Sequence, residues 1–159
     1  MKTYGRGVTL IEMMIVVTII ALIVSISFPA VSSGIDSLRL SSASDSLVSF
    51  LNGGLNRAER RQEAVEVTVS VKENAVYLAS ASLNRTLAMP SGVTILAVWP
   101  KVPEETDGPR RFLLLPGGAV PRIGIEIMNR KKARRIVRVN PMTGVPEIER
   151  LEASPETKE

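Results

Sequence analysis

Lys2-Thr3-Tyr4-Gly5-Arg6-Gly7 leads into Val8-Thr9-Leu10-Ile11-Glu12 and an apolar run that reaches Phe28, with Pro29 directly after it. One carboxylate, Glu12, interrupts the run. At about 1.5 Å per helical residue the run covers roughly 30 Å, one hydrocarbon thickness, so as a helix it is long enough to span a membrane. An acidic side chain at the bilayer centre costs about 2.5–3.5 kcal/mol on insertion scales, and less near an interface. An isolated carboxylate in such a span implies a role and a counter-charge. Val8 and Glu12 are four residues apart and hence neighbours on one helix face. A helix N-terminus also favours a nearby negative charge, by about 0.3–1 kcal/mol at exposed sites. An ordinary secretory signal peptide is cut after its apolar region. Here Gly7, flanked by Arg6, lies before it. Cleavage after Gly7 would leave the anchor attached and free an amine at Val8 to compensate Glu12. A plain single-pass anchor with Glu12 at the headgroup level is the simpler alternative, but it does not predict Gly7, Glu12 and Pro29 at these offsets.

The short basic leader ending in Gly7, the Glu five residues past it and Pro29 resemble the type III signal of type IV prepilins and type II secretion pseudopilins. The resemblance implies cutting between Gly7 and Val8 by a prepilin peptidase that also methylates the new Val8 amine. It makes Glu12 the fifth residue of the mature chain and Pro29 the helix-bending proline common in that family. The family usually starts its mature chain with Phe or Met, where this chain has Val8. Implied partners are other pilin or pseudopilin subunits, an inner-membrane assembly platform and membrane lipid. Lys2 and Arg6 precede the span and the next basic residue is Arg39. The positive-inside tendency therefore puts the N-terminus in the cytoplasm, and the C-terminal domain outside the cytoplasmic membrane, in the periplasm of a two-membrane host.

Composition bounds the rest. Of 159 residues, about 100–130 remain beyond leader and span, enough for one small domain. The absence of Cys and His rules out a disulfide framework, the commonest zinc ligands, and thiol or imidazole catalysis. No metal or cofactor is expected. The aromatics (Tyr4, Phe28, Phe50, Tyr77, Trp99 and Phe112) are too few for a base-stacking platform. A net charge of +4 fits contact with anionic lipid or nucleic acid, but charge alone selects neither.

Beyond Phe28 the helical pattern continues. Pro29 lacks an N–H and crowds the carbonyl of Ser25, so a bend or local melting is expected near Ser25 to Pro29. Ile35, Leu38, Leu40, Ala43, Leu47, Leu51, Leu55 and Ala58 recur at helical spacing, an amphipathic pattern running to about Glu63. Asn52-Gly53-Gly54 interrupts it; either the helix is weakened there, or the glycines let a sheet approach closely. From Ala64 the period becomes two. Val65, Val67, Val69 and Val71 alternate with polar residues, Lys72 to Ala75 turns, and Val76 to Ala79 returns. Val93 to Trp99 and Arg111 to Leu115 read as further strands, and Ile123 to Val139 as a hairpin turning at Asn129 to Lys132. The expected organisation is a leader 1–7, a transmembrane and assembly helix 8–29, an amphipathic helix 30–63, a β-rich domain 64–153 and a disordered polar tail 154–159. The fold class is α+β: a long N-terminal helix packed on a small antiparallel β-sandwich-like domain.

Leu47 to Glu63, the turn Phe112 to Gly118 and the strand Arg134 to Val139 also resemble the H-type minor pseudopilins of type II secretion and related minor pilins. The function implied is a structural subunit of a pseudopilus or type IV pilus. The alternative is a DNA-binding minor pilin of an uptake pilus. For that role Arg130, Lys131, Lys132, Arg134, Arg135 and Arg138 would form a phosphate-binding patch. The bland reading of the six is a solvated hairpin tip and an edge strand guarded by charge. It is preferred, because the place matching the Gly-Arg motif of DNA-binding relatives reads Gly144-Val145-Pro146-Glu147, with a carboxylate where a cation is needed. Glu104, Glu105 and Asp107 raise an enzyme reading through paired carboxylates. No nucleophile elbow, phosphate loop or metal spacing accompanies them, so no catalysis is expected.

Overall fold

The structure, a computed structural model, describes residues 8–101 and 108–151, and for residues 28–33 the backbone alone. The leader 1–7 with Gly7, the tail 154–159 and the loop acids Glu104, Glu105 and Asp107 lie outside the described residues. One helix, α1 (Leu10–Arg61), precedes eight described strands: β1 (Val65–Ser70), β2 (Ala75–Ser80), β3 (Leu83–Ala88), β4 (Val93–Trp99), β5 (Arg110–Leu114), β6 (Gly124–Asn129), β7 (Arg134–Val139) and β8 (Pro146–Leu151). The helical backbone runs through position 29 without interruption, so the melting expected near Pro29 does not occur. The chain divides into two compact units, Met1–Ile35 and Asp36–Glu159.

In the first unit, Leu10–Ser27 is long and apolar enough to cross a membrane. Its large apolar side chains are all exposed, from Leu10 to Ile26. The one hydroxyl in its middle, Thr18 Oγ1, donates to the carbonyl of Met14 at 2.7 Å. A polar group that satisfies itself within its own helix suits a surrounding without water.

In the second unit two antiparallel four-stranded sheets, in the orders β3-β2-β1-β5 and β4-β6-β7-β8, share a core with the rest of α1. The helix contributes Leu40, Ala43, Leu47, Phe50, Leu51 and Ala58, the first sheet Val65, Val67, Val69, Val76, Leu78 and Leu114, and the second Ile95, Ile125, Ile127, Val137 and Val139 among others. The expected α+β arrangement of a helix on a β-sandwich-like domain is therefore the one observed. The buried helix stripe starts later than the periodicity suggests, because Ile35 and Leu38 are exposed. Val71 is exposed as well: β1 stops at Ser70 and Val71 belongs to the turn.

Gly54 explains the glycine pair. A Cβ on it would lie 3.0 Å from Leu78 Cδ2 and 3.4 Å from Leu114 Cδ1, whereas one on Gly53 would meet nothing within 4 Å. The helix does not break there; it presses its bare backbone onto the first sheet at Gly54. The two sheets are joined by Asn74, in the turn between β1 and β2. Its Nδ2 donates to Val93 O at 2.8 Å and its Oδ1 accepts the Ile95 N–H at 2.8 Å, closing part of the open edge of β4. Arginines on the inner side of both edge strands of the first sheet lie over aromatic rings, Arg85 over Phe50 and Arg110 over Phe112. Charge facing inward at an edge discourages strand addition by another chain.

Candidate functional site

The start of α1 is built from four residues. Thr9 lies just outside the helix, its Oγ1 accepting the Glu12 N–H at 3.3 Å and its carbonyl the Met13 N–H at 3.2 Å. That is an N-cap, and Thr9-Leu10-Ile11-Glu12 has the Thr-x-x-Glu spacing of a capping box. The cap fixes where the helix begins and leaves Val8 outside it, exposed. A bond preceding Val8 is thus not part of the helix that follows. Glu12 falls in the first helical turn, where the helix dipole favours negative charge. Among the described residues no cation pairs with it. Thr9 was missed in reading the sequence, although its spacing to Glu12 was the available signal. The carboxylate carries a helix-start role.

The C-terminal end of α1 is tied to the β domain by a second set of polar residues that periodicity did not single out. Arg57 Nε lies 2.6 Å from Glu63 Oε1, and Arg57 Nη2 donates to Ser82 Oγ at 2.7 Å. The hydroxyls of Ser80 and Ser82 donate to the same carboxylate at 3.0 and 3.2 Å. Burial pushes the Glu63 carboxyl up. The hydrogen bonds from Arg57, Ser80 and Ser82, with the Arg57 charge, outweigh it and leave the group below its ordinary value. Glu59 Oε1 accepts the Gly117 N–H at 3.0 Å, a further tie between helix and loop.

The six basic residues do not form one surface. Neighbouring residues of a strand face opposite ways, and β7 places Arg134 and Arg138 on one face of the second sheet and Arg135 on the other. Arg134 Nη1 lies 3.6 Å from Glu126 Oε1, whose other oxygen accepts the Trp99 indole N–H at 3.4 Å. Glu126 is buried on the outer face of the sheet by this cover, despite its charge. Arg138 lies 3.7 Å from Glu149. Arg135 turns inward, its Nη1 donating to Ser41 Oγ on α1 at 3.1 Å. Arg130, Lys131 and Lys132 remain together at the exposed tip between β6 and β7. The patch expected from the sequence thus resolves into a three-cation tip and three arginines engaged within the fold. Among the described residues no group of acidic side chains is arranged to hold a metal ion.

With this geometry in place, one comparison gives a match. Residues 3–28 match the prokaryotic N-terminal methylation motif. The match covers the leader from Thr3 onward, Thr9, Glu12 and the apolar span, and it supports the type IV pilin and pseudopilin superfamily. Together with the exposed span Leu10–Ser27 it supports a pilin-like protein with a single-pass membrane anchor. Neither curated proteins nor solved structures gave a match to the chain.

Proposed function

We propose that this chain is a structural subunit of a pilus or pseudopilus, most like the H-type minor pseudopilins of type II secretion and related minor pilins. A prepilin peptidase cuts after Gly7 and methylates the amine of Val8, making the chain that enzyme's substrate rather than an enzyme itself. The subunit waits in the cytoplasmic membrane with its N-terminus inside and its β domain outside, in the periplasm where there is one. It then passes through the inner-membrane assembly platform into a filament of pilin subunits. In the filament the Glu12 carboxylate is paired by the freed amine of Val8, in its own subunit or a neighbour. Helix packing then takes over from lipid packing, since lipid tails are as apolar as the span itself. The organisation proposed is leader 1–7, assembly helix 8–29 with Pro29 at its end, amphipathic helix 30–63, β domain 64–153 and tail 154–159.

The observation that carries this reading is the capped helix start. Thr9 caps the helix start one residue past Val8, and among the described residues Glu12 stands without a cation at the head of an exposed apolar span. The test is the intact mass of the protein from cells with and without a prepilin peptidase. The expected product lacks residues 1–7 and carries one added methyl group; retention of residues 1–7 in the presence of the peptidase rejects the reading. The DNA-uptake alternative is favoured less, because Arg134, Arg135 and Arg138 already have partners within the fold.

A further inference from the structure

In an α-helix each N–H bonds the carbonyl four residues back. The ladder of α1 opens with the Met13 N–H on the Thr9 carbonyl, at 3.2 Å. The next donor toward the N-terminus is the Glu12 N–H, whose helical acceptor would be the carbonyl of Val8. The Thr9 hydroxyl takes that N–H instead, at 3.3 Å. The donor after it, the Ile11 N–H, would reach the carbonyl of Gly7, the acyl side of the Gly7–Val8 bond. Thr9 thus stops the ladder one rung before that carbonyl would be drawn in. Val8 and Thr9 accordingly lie outside the helix, with Val8 exposed.

Hydrolysis of the Gly7–Val8 bond adds water to the Gly7 carbonyl carbon and breaks the C–N bond. Val8 then leaves as the amine, taking the proton. Charge develops on the Gly7 carbonyl oxygen, and a protease stabilises it with donors aimed at that atom. An oxygen already accepting the Ile11 N–H inside a helical turn is poorly placed to receive them. The local sequence opposes such an extension in part. Gly5 and Gly7 are poor helix formers, and β-branched Val8 loses rotamer freedom in a helix. The hydroxyl of Thr9 supplies the rest, since it satisfies the donor that the extension would use.

We infer that Thr9 is a positioning residue for leader cleavage: by holding the Glu12 N–H, its hydroxyl keeps the Gly7 carbonyl out of the helix and open to the peptidase. This rests on the processing reading above and names a residue that governs it. Replacing an N-cap threonine by alanine shifts the balance at a helix start by about two- to thirtyfold. Alanine is also the best helix former, whereas valine keeps the branched shape of threonine without its oxygen. Only the fraction of chain with a non-helical scissile bond binds productively, so the loss falls on KM and leaves kcat alone.

The test uses the full chain in lipid nanodiscs with a purified prepilin peptidase, following the shortened product by intact mass at several substrate concentrations. Thr9→Ala and Thr9→Val are expected to raise KM severalfold at unchanged kcat. Thr9→Ser and Thr9→Asn, both good caps, should match the parent. Glu12→Ala keeps the backbone N–H that Thr9 holds, and should match it too. In the absence of peptidase, the carbonyl chemical shift of Gly7, read by nuclear magnetic resonance, should move toward helical values in Thr9→Ala. Parent-like cleavage of both the alanine and the valine variant overturns the inference and leaves the processing reading standing. Rescue by serine but not asparagine also overturns it, because the peptidase would then be reading the hydroxyl itself. So does slower cleavage of Thr9→Ala with an unmoved Gly7 carbonyl. A parent chain that is not cut at all defeats both.

Discussion

Asn74 makes four hydrogen bonds at once. Its N–H donates to Val71 O at 3.1 Å, its carbonyl accepts the Met89 N–H at 3.0 Å, and its side chain takes both Val93 O and the Ile95 N–H. Its φ is 53°, a left-handed conformation that Asn tolerates better than most residues. Asn74→Gly keeps the conformation and removes only the side-chain bonds; it should cost about 1–3 kcal/mol of unfolding free energy. Asn74→Ala adds the left-handed penalty, about 1–2 kcal/mol more. Chemical denaturation of the two variants against the parent checks both steps, and equal losses would remove the conformational part of the argument. Glu63 gives the pH-dependent counterpart. Its carboxyl sits below the ordinary value of 4.5, so the folded state binds this proton less readily than the unfolded state does. Its contribution is present above the unfolded value and disappears as pH falls through the folded one. Glu63→Gln should therefore lower the melting temperature at neutral pH and flatten its fall below about pH 4.5. A variant with an unchanged acid limb would show that the Arg57–Glu63 contact contributes nothing.

The paired glycines of α1 behave as opposites at the level of the element. Gly53 faces open space and Gly54 faces Leu78 and Leu114. Gly53→Ala should stabilise the domain by about 0.5–1 kcal/mol through helix propensity alone. Gly54→Leu should destabilise it by about 1–3 kcal/mol or more, by forcing extra methylenes into a filled core. Thermal melts of the two variants should move in opposite directions; a shared sign would mean that the helix does not lie on the first sheet at Gly54. Elements with one face on that core were the legible ones. β1 alternates because burial enforces it, and β6–β7 and Val93 to Trp99 are apolar enough to be read as strands. β3 and β8 escaped notice because little of either is buried. Leu83–Ala88 and Pro146–Leu151 are mostly exposed, so no period of two is imposed on them. The spacing of Gly7, Val8 and Glu12 is what motivates the proposed processing site, and the Thr9–Glu12 spacing was the signal for the capped helix start. What Arg134, Arg135 and Arg138 face was not legible, because opposite faces of a strand look adjacent in sequence.

At the scale of the whole molecule, membrane insertion and the proposed filament assembly make opposite demands on Glu12. A carboxylate near one end of an apolar span opposes insertion, by an amount that falls toward the interface. Removing it should therefore make insertion easier, not harder. Thr9 keeps its cap in Glu12→Ala, because the bond it accepts comes from the backbone N–H of residue 12. The β domain, whose described core starts at Leu40, has no packing to lose. On the proposed function, Glu12→Ala should then insert, fold and be cut after Gly7 as well as the parent, and fail at the later assembly step in which the charge would be paired. The measurement is the fraction of subunit in sheared, sedimented filaments, beside the fraction processed in the membrane. The expected result is full processing with incorporation reduced at least tenfold, equivalent to about 1.4 kcal/mol or more of lost pairing. Glu12→Asp, which keeps the charge on a shorter arm, should recover part of it. Normal incorporation of the alanine variant would detach the carboxylate from assembly and leave it as the first-turn acid of a capped helix.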